Sequence, residues 1–165
     1  FLLPEIMRRL KADAVEVRLT VAGGGPVEAE LRRRFQQAGV MDRVHMAGGL
    51  PLARMQEQFR AADIFVFPSR FEGCGFAVLE AMAAGLPVLA SDLPAHRDMV
   101  QHRQTGWLAT SPTDLGQALT WLEDPLNNLA TGQAARQWVK DTVGTWYDCA
   151  SRYAAAYQTL LEPGA

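Results

Sequence analysis

Two glutamates eight residues apart, Glu72 and Glu80, are the residues of this chain best placed to do chemistry. A carboxylate pair invites an acid–base reading. The residues around them favour another. Gly73-Cys74-Gly75 separates Glu72 from an apolar run, Phe76 to Ala84, that closes at Gly85; such a glycine turn opens a helix. Between Gly73 and Ser91 the sole charged side chain is Glu80. Helical spacing sets it beside Phe76, Ala77, Ala83 and Ala84. A lone carboxylate on a small, apolar face wants a partner.

The amides of Gly73, Cys74 and Gly75, with no bulky side chain beside them and at the positive end of a helix dipole, favour an anion such as a pyrophosphate. Carboxylates accept hydrogen bonds from hydroxyls. A long ligand with phosphate in its middle and hydroxyls at both ends would therefore suit the loop and both glutamates, and a nucleotide sugar has that layout. Two plainer roles stand beside this one. Glu72 can simply complement the dipole, and Glu80 can pair with Arg70 or Arg97. Gly23-Gly24-Gly25 is a second turn that lets a ligand approach backbone, although the Gly-x-Gly-x-x-Gly spacing is absent. His96 and Arg97, near the ligand loop, could neutralise a leaving phosphate, but read first as an exposed polar turn. Cys74 is a thiol at a helix start, where pKa falls, and His45 and His102 carry no signal.

The elements that must position these groups alternate between strand and helix. A helix tail at Pro4–Leu10 precedes a strand over Val15–Val21, a helix over Val27–Ala38 closed by Gly39, and a strand over Val44–Ala47. A helix over Leu52–Ala61 leads to a continuously apolar strand at Ile64–Phe67, expected to be buried as in parallel sheets. The central helix over Gly75–Ala84, a strand at Pro87–Ala90, a helical turn at His96–Val100 and a strand at Trp107–Ala109 follow. The pattern predicts an α/β fold, a Rossmann-like doubly wound parallel sheet over about residues 15–122. A helical tail, about 123–162, completes a single domain spanning 1–165. Its last helix, Thr145–Leu161, carries Trp146, Tyr147, Tyr153 and Tyr157, either packed on the sheet or covering a neighbour.

Composition narrows the partners. A net charge of −2, and no basic run longer than Arg32-Arg33-Arg34, argue against nucleic acid. Lys11 and Lys140 are the only lysines, both far from the glutamates, so a phosphate-binding lysine must come from elsewhere. Cys74 and Cys149 form neither a disulfide framework nor a zinc signature, as suits a reducing cytosol. No stretch reaches the roughly 18 apolar residues of a membrane span. Phe1-Leu2-Leu3-Pro4 is too short for a signal peptide, and without an initiator methionine the chain reads as part of something longer.

Pro68-Ser69, Glu72-Gly73, Gly75-Phe76, Leu79-Glu80-Ala81-Met82-Ala83, Gly85 and Pro87-Val88 together resemble the signature of the family 4 retaining glycosyltransferases of the GT-B fold, with its Glu-x7-Glu motif. The resemblance extends to Val21–Pro26, Asp42-Arg43-Val44 through Gly48, Ala62-Asp63 and Thr105-Gly106, roughly Val15 to Leu122 in all. It implies the C-terminal, donor-binding lobe of such an enzyme, with the N-terminal acceptor lobe absent. Glu80 would hold the ribose hydroxyls, the amides around Gly75 and Phe76 the pyrophosphate, and Glu72 with Gly73 the transferred sugar. Gly49 and Leu50 would line the base, with Gly23, Gly24 and Cys74 in the same donor site. The substrate would be a UDP- or GDP-linked sugar, with no cofactor or metal. The enzyme would work in the cytoplasm or peripherally at the inner face of the membrane, building polysaccharide or lipopolysaccharide. The sequence departs from the family at Leu93–Asp98, where Asp98 replaces a glutamate, and its phosphate-binding arginine and lysine would lie upstream of Phe1. Other readings of the fold are a nucleotide-sugar epimerase or hydrolase half and a non-enzymatic doubly wound binding module.

Overall fold

The computed structural model describes residues 2–161; Phe1 and residues 162–165, included in the expected domain and tail, lie outside them. Two ladders carry the strands. β1 (Leu19–Ala22) pairs in parallel with β2 (Val44–Gly48). β3 (Phe65–Phe67), β4 (Val88–Ser91) and β5 (Gly106–Ala109) form a second parallel sheet in that order. The expected single sheet is thus two, because β1 and β3 share no backbone ladder. α1 (Leu2–Ala12), α2 (Glu28–Gln37), α3 (Leu52–Ala61), α4 (Phe76–Ala84) and α5 (Pro94–Arg97) alternate with the strands. α6 (Pro112–Leu122), α7 (Pro125–Trp138) and α8 (Trp146–Leu161) follow them.

Alternation along the strands explains why helices lie on both faces. Leu89, Trp107 and Ala109 join Ile6, Met7 and Leu10 of α1, Phe35 of α2 and Leu115, Leu119 and Leu122 of α6 in one apolar cluster. Val88 and Ala90, one residue out of step, join Phe59 of α3, Val78, Ala81 and Met82 of α4 and Ala135 of α7 in the other. The first cluster also takes Leu19 and Val21 of β1 and Ile64 and Val66 beside or within β3, so one core spans both sheets.

Two expectations change, and one open choice narrows. The strand foreseen over Val15–Val21 begins only at Leu19, opposite Val44; ahead of it the Val15 carbonyl accepts from the Arg43 guanidinium at 2.7 Å instead of from a strand. β3 is half-buried along its length, since it pairs on one side only, with β4. α8 buries none of its residues, and Trp146 is 90% exposed, so its aromatic side chains do not pack on the sheet.

α4 is fixed at both ends by glycines in the left-handed region, Gly75 at φ +65° and Gly85 at φ +86°. At its C-terminus the Gly85 N–H donates to the Met82 carbonyl at 2.9 Å and the Leu86 N–H to the Ala81 carbonyl at 3.1 Å. This is the paired closure that a left-handed residue permits. α5 starts two residues earlier than expected because Pro94 takes the first helical turn, where its missing N–H costs nothing.

Candidate functional site

Pro68 ends β3, and a short loop carries the chain to α4. Glu72 folds back over that loop. Its Oε1 accepts from the N–H groups of Gly73 at 3.0 Å, Cys74 at 3.3 Å and Gly75 at 3.1 Å. The Gly75 amide, then that of Cys74, hold the Glu72 carboxyl below its usual range, with Gly73 adding to the effect. A carboxylate bound this way is a poor proton acceptor at neutral pH. Glu72 is built to be an ionised hydrogen-bond acceptor, with all three amides on one oxygen, Oε1.

A depressed pKa has a definite sign. The contribution of this contact to loop order is present above about 4.3, the ordinary glutamate value, and is lost as pH falls through the lower value of the folded chain. Acid titration followed by amide NMR should therefore show the Gly75 and Cys74 resonances moving together, with a midpoint below the ordinary glutamate value. A midpoint at the ordinary value would show that the carboxylate is not held by these amides.

Glu80 points the other way. It is exposed on the outer face of α4 with Phe76, Ala83 and Ala84, while Val78, Ala81 and Met82 face the core. The small apolar face foreseen around Glu80 is thus a surface face. Among the described residues no ion pair or hydrogen bond to Glu80 is present. Arg97, one of the partners considered for it, binds Asp92 in a two-pronged contact of 2.6 and 2.9 Å. That contact raises the Arg97 pKa and lowers that of Asp92. Among the described residues no ion pair joins Arg70, the other partner considered, to Glu80.

His96 corrects the expectation of an exposed polar turn: it is fully buried. Its Nδ1 lies 2.7 Å from the Ser91 carbonyl, and its ring meets Phe67 edge-on, with centroids 5.6 Å apart. The turn rests on Gly75: a Cβ there would lie 2.8 Å from Met99 Cε, 3.5 Å from His96 Cδ2 and 3.6 Å from Glu72 Cγ. The signal for this burial was the spacing of His96, Met99 and Val100, one inward face of a helical turn begun by Pro94.

The other glycine loops meet at the end of the first sheet. The Gly23 N–H donates to the Gly48 carbonyl at 2.7 Å. A Cβ on Gly24 would lie 3.6 Å from the Gly49 nitrogen, so Gly23, Gly24 and Gly49 gather at one edge, followed by half-buried Leu50. Glu72, Gly73, Cys74, Gly75, Phe76 and His96 gather at the end of the second sheet. Among the described residues no hydrogen bond or ion pair joins the two groups. In parallel sheets the strand carboxyl ends are where ligands bind, and both groups lie there. Cys74 is exposed, and both cysteines are free thiols.

Comparisons with known proteins agree on the surroundings of these loops. The family profile described as "Glycosyl transferases group 1" matches residues 1–138. A GDP-mannose-dependent alpha-(1-6)-phosphatidylinositol monomannoside mannosyltransferase of Mycobacterium tuberculosis (strain ATCC 25618 / H37Rv) is 33% identical over 152 residues, covering 83% of this chain and 37% of its own length. The chain therefore spans little more than a third of that relative. The solved structure of sucrose-phosphate synthase from Thermosynechococcus elongatus superposes with a TM-score of 0.79 at 28% identity, over 95% of this chain and 42% of that one. WaaG, a glycosyltransferase involved in lipopolysaccharide biosynthesis, gives 0.74 at 25% identity, over 86% of this chain and 38% of that one. With five-sixths of its length inside the family profile, the chain belongs to the group 1 glycosyl transferases.

Proposed function

We propose that this chain is the donor-binding lobe of a retaining glycosyltransferase of the GT-B fold, taking a nucleoside diphosphate sugar and passing the sugar to a glycan or glycolipid. The observation that carries this reading is Glu80, an exposed carboxylate with no ion pair or hydrogen bond among the described residues, standing on the helix whose first turn follows the Glu72 loop. Glu80 accepts hydrogen bonds from the ribose hydroxyls. The first amides of α4, at Phe76 and Ala77, have no intrahelical acceptor and meet the diphosphate. Glu72 and Gly73 face the transferred sugar, and Gly23, Gly24, Gly49 and Leu50 line the nucleoside end.

Catalysis in this scheme is electrostatic. The leaving diphosphate is held by helix amides and by basic groups outside this chain, and Glu72 orients the sugar without moving a proton. No resident metal or cofactor takes part. The acceptor is held by a second lobe of the same enzyme. No helix among the described residues is long and apolar enough to cross a membrane, and the reading places the enzyme in the cytoplasm or at the inner membrane face.

Calorimetry of the chain against UDP, GDP and ADP tests the reading, with GDP the first to try because the mycobacterial relative is named for GDP-mannose. Binding of one of them is expected, and binding of none would remove its support. The chain alone is expected to form little or no glycoside product; robust turnover by it would refute the need for a second lobe.

A further inference from the structure

The donor-site loop leaves one group unanswered. His96 is fully buried, and its Nε2 is the one buried side-chain nitrogen or oxygen among the described residues without a hydrogen-bond partner. Buried polar atoms are nearly always satisfied, so an orphan calls for a cause. The tautomer is not free to adjust. Nδ1 sits 2.7 Å from the Ser91 carbonyl, which can only accept, so Nδ1 carries the proton and Nε2 of the neutral ring presents a lone pair. Cδ2, the carbon bonded to Nε2, lies 3.5 Å from where a Gly75 Cβ would stand, which sets the ring against the loop.

Glu72 meets the same point of the loop, with Cγ 3.6 Å from that position. Its Oε1 satisfies the amides of Gly73, Cys74 and Gly75. A carboxylate accepts but does not donate, so it serves the amides and leaves Nε2 without a proton to accept. A phosphate oxygen has the same limitation. A hydroxyl has both capacities, accepting from an amide through its lone pairs and donating its proton to the imidazole. The group that completes this corner is therefore one that both accepts and donates, as a neutral hydroxyl does.

We propose that His96 is a specificity-determining residue of the donor site: Nε2 accepts a hydrogen bond from one hydroxyl of the transferred sugar, while that oxygen accepts from an amide of the Gly73–Gly75 loop. The Nδ1–Ser91 bond is the positioning element, holding the tautomer in which Nε2 accepts. The loop over Nε2 is fastened by a single carboxylate oxygen, and an incoming hydroxyl that takes an amide loosens that fastening. This inference rests on the donor-lobe reading above and adds to it the sugar, as distinct from the nucleotide.

The test uses the full-length enzyme containing this chain. His96→Asn keeps an N–H near the place of Nδ1 for Ser91 and removes Nε2. The KM for the sugar donor is expected to rise about tenfold, the worth of one hydrogen bond, while inhibition by the nucleoside diphosphate alone stays within about twofold. Among donors deoxygenated at single ring positions, one is expected to show no difference between wild type and variant. The proposal is overturned by an unchanged donor KM, by equal weakening of the nucleoside diphosphate, or by a variant effect that persists for every deoxygenated donor. Should His96→Asn not fold, 15N NMR of histidine-labelled wild type decides: the Nε2 resonance should move upfield with the sugar donor and stay still with the nucleoside diphosphate. A resonance that moves with neither, while both bind, overturns the His96 assignment and leaves the donor-lobe reading standing. Failure of both ligands to bind overturns the two together.

Discussion

Glu80→Ala in the full-length enzyme is expected to weaken binding of the nucleoside diphosphate roughly ten- to a hundredfold, the range of a hydrogen bond to a charged group at about 1.5–3 kcal/mol. The same change should leave folding stability almost untouched. Glu80 is exposed and has no ion pair or hydrogen bond among the described residues, and surface substitutions of this kind usually fall within about 0.5 kcal/mol. Alanine is also the better helix former. The combination separates function from structure: a loss of affinity at constant melting temperature assigns Glu80 to a ligand. Titration calorimetry with the ribonucleotide and its 2′-deoxy analogue would locate the contact, since the variant should lose most of the preference between them. Unchanged affinity would return Glu80 to an idle surface acid.

The sequence made the order of elements legible because apolar period and glycine punctuation agree in this chain. The Leu52–Ala61 helix matches its expected bounds, and the Phe76–Ala84 helix is off by one residue. Glycines did most of this. Gly39, Gly75 and Gly85 all adopt positive φ where a helix was expected to start or stop. Tertiary relations were hidden. Nothing in Ile64–Phe67 says that β3 lacks a neighbour on one side, and a run of apolar residues reads the same on an edge as in a sheet interior.

The site was legible as residues and illegible as directions. Glu72 and Glu80 stand out from their neighbours in any reading of the chain. That Oε1 of Glu72 binds three amides, however, depends on the left-handed turn at Gly75, and the outward aim of Glu80 depends on which face of α4 carries Val78 and Met82. His96 went astray for a related reason. A histidine beside an arginine and an aspartate looks exposed by composition, and Arg97 indeed pairs with Asp92 at the surface. One residue earlier, the helical turn has rotated by about 100°, which is enough to bury His96 beneath Gly75.

Two helical glycines should respond to alanine with opposite sign. Gly→Ala in a helix interior ordinarily stabilises by up to about 1 kcal/mol. Gly116, in α6, meets nothing within 4 Å of an added Cβ, so Gly116→Ala is expected to gain about 0.5–1 kcal/mol. Gly132, in α7, lies where that helix crosses the end of α4. Its added Cβ would fall on the Gly85 carbonyl, with Pro87 Cδ at 3.3 Å. Backbone cannot rotate aside as a side chain does. Relief requires α7 to lift from α4, which parts Ala135 from Val78, Ala81 and Met82. Overpacking of this kind costs about 1–3 kcal/mol, and a backbone obstacle puts Gly132→Ala at the upper end, a net loss of about 2 kcal/mol after the helix gain. Urea denaturation of both variants measures the two signs. Because α4 also carries Glu80 and its N-terminal amides, the loss at Gly132 should extend to nucleotide affinity, whereas Gly116→Ala should leave it as it was. Equal effects of the two alanines on stability would mean that α7 does not bear on α4 through Gly132.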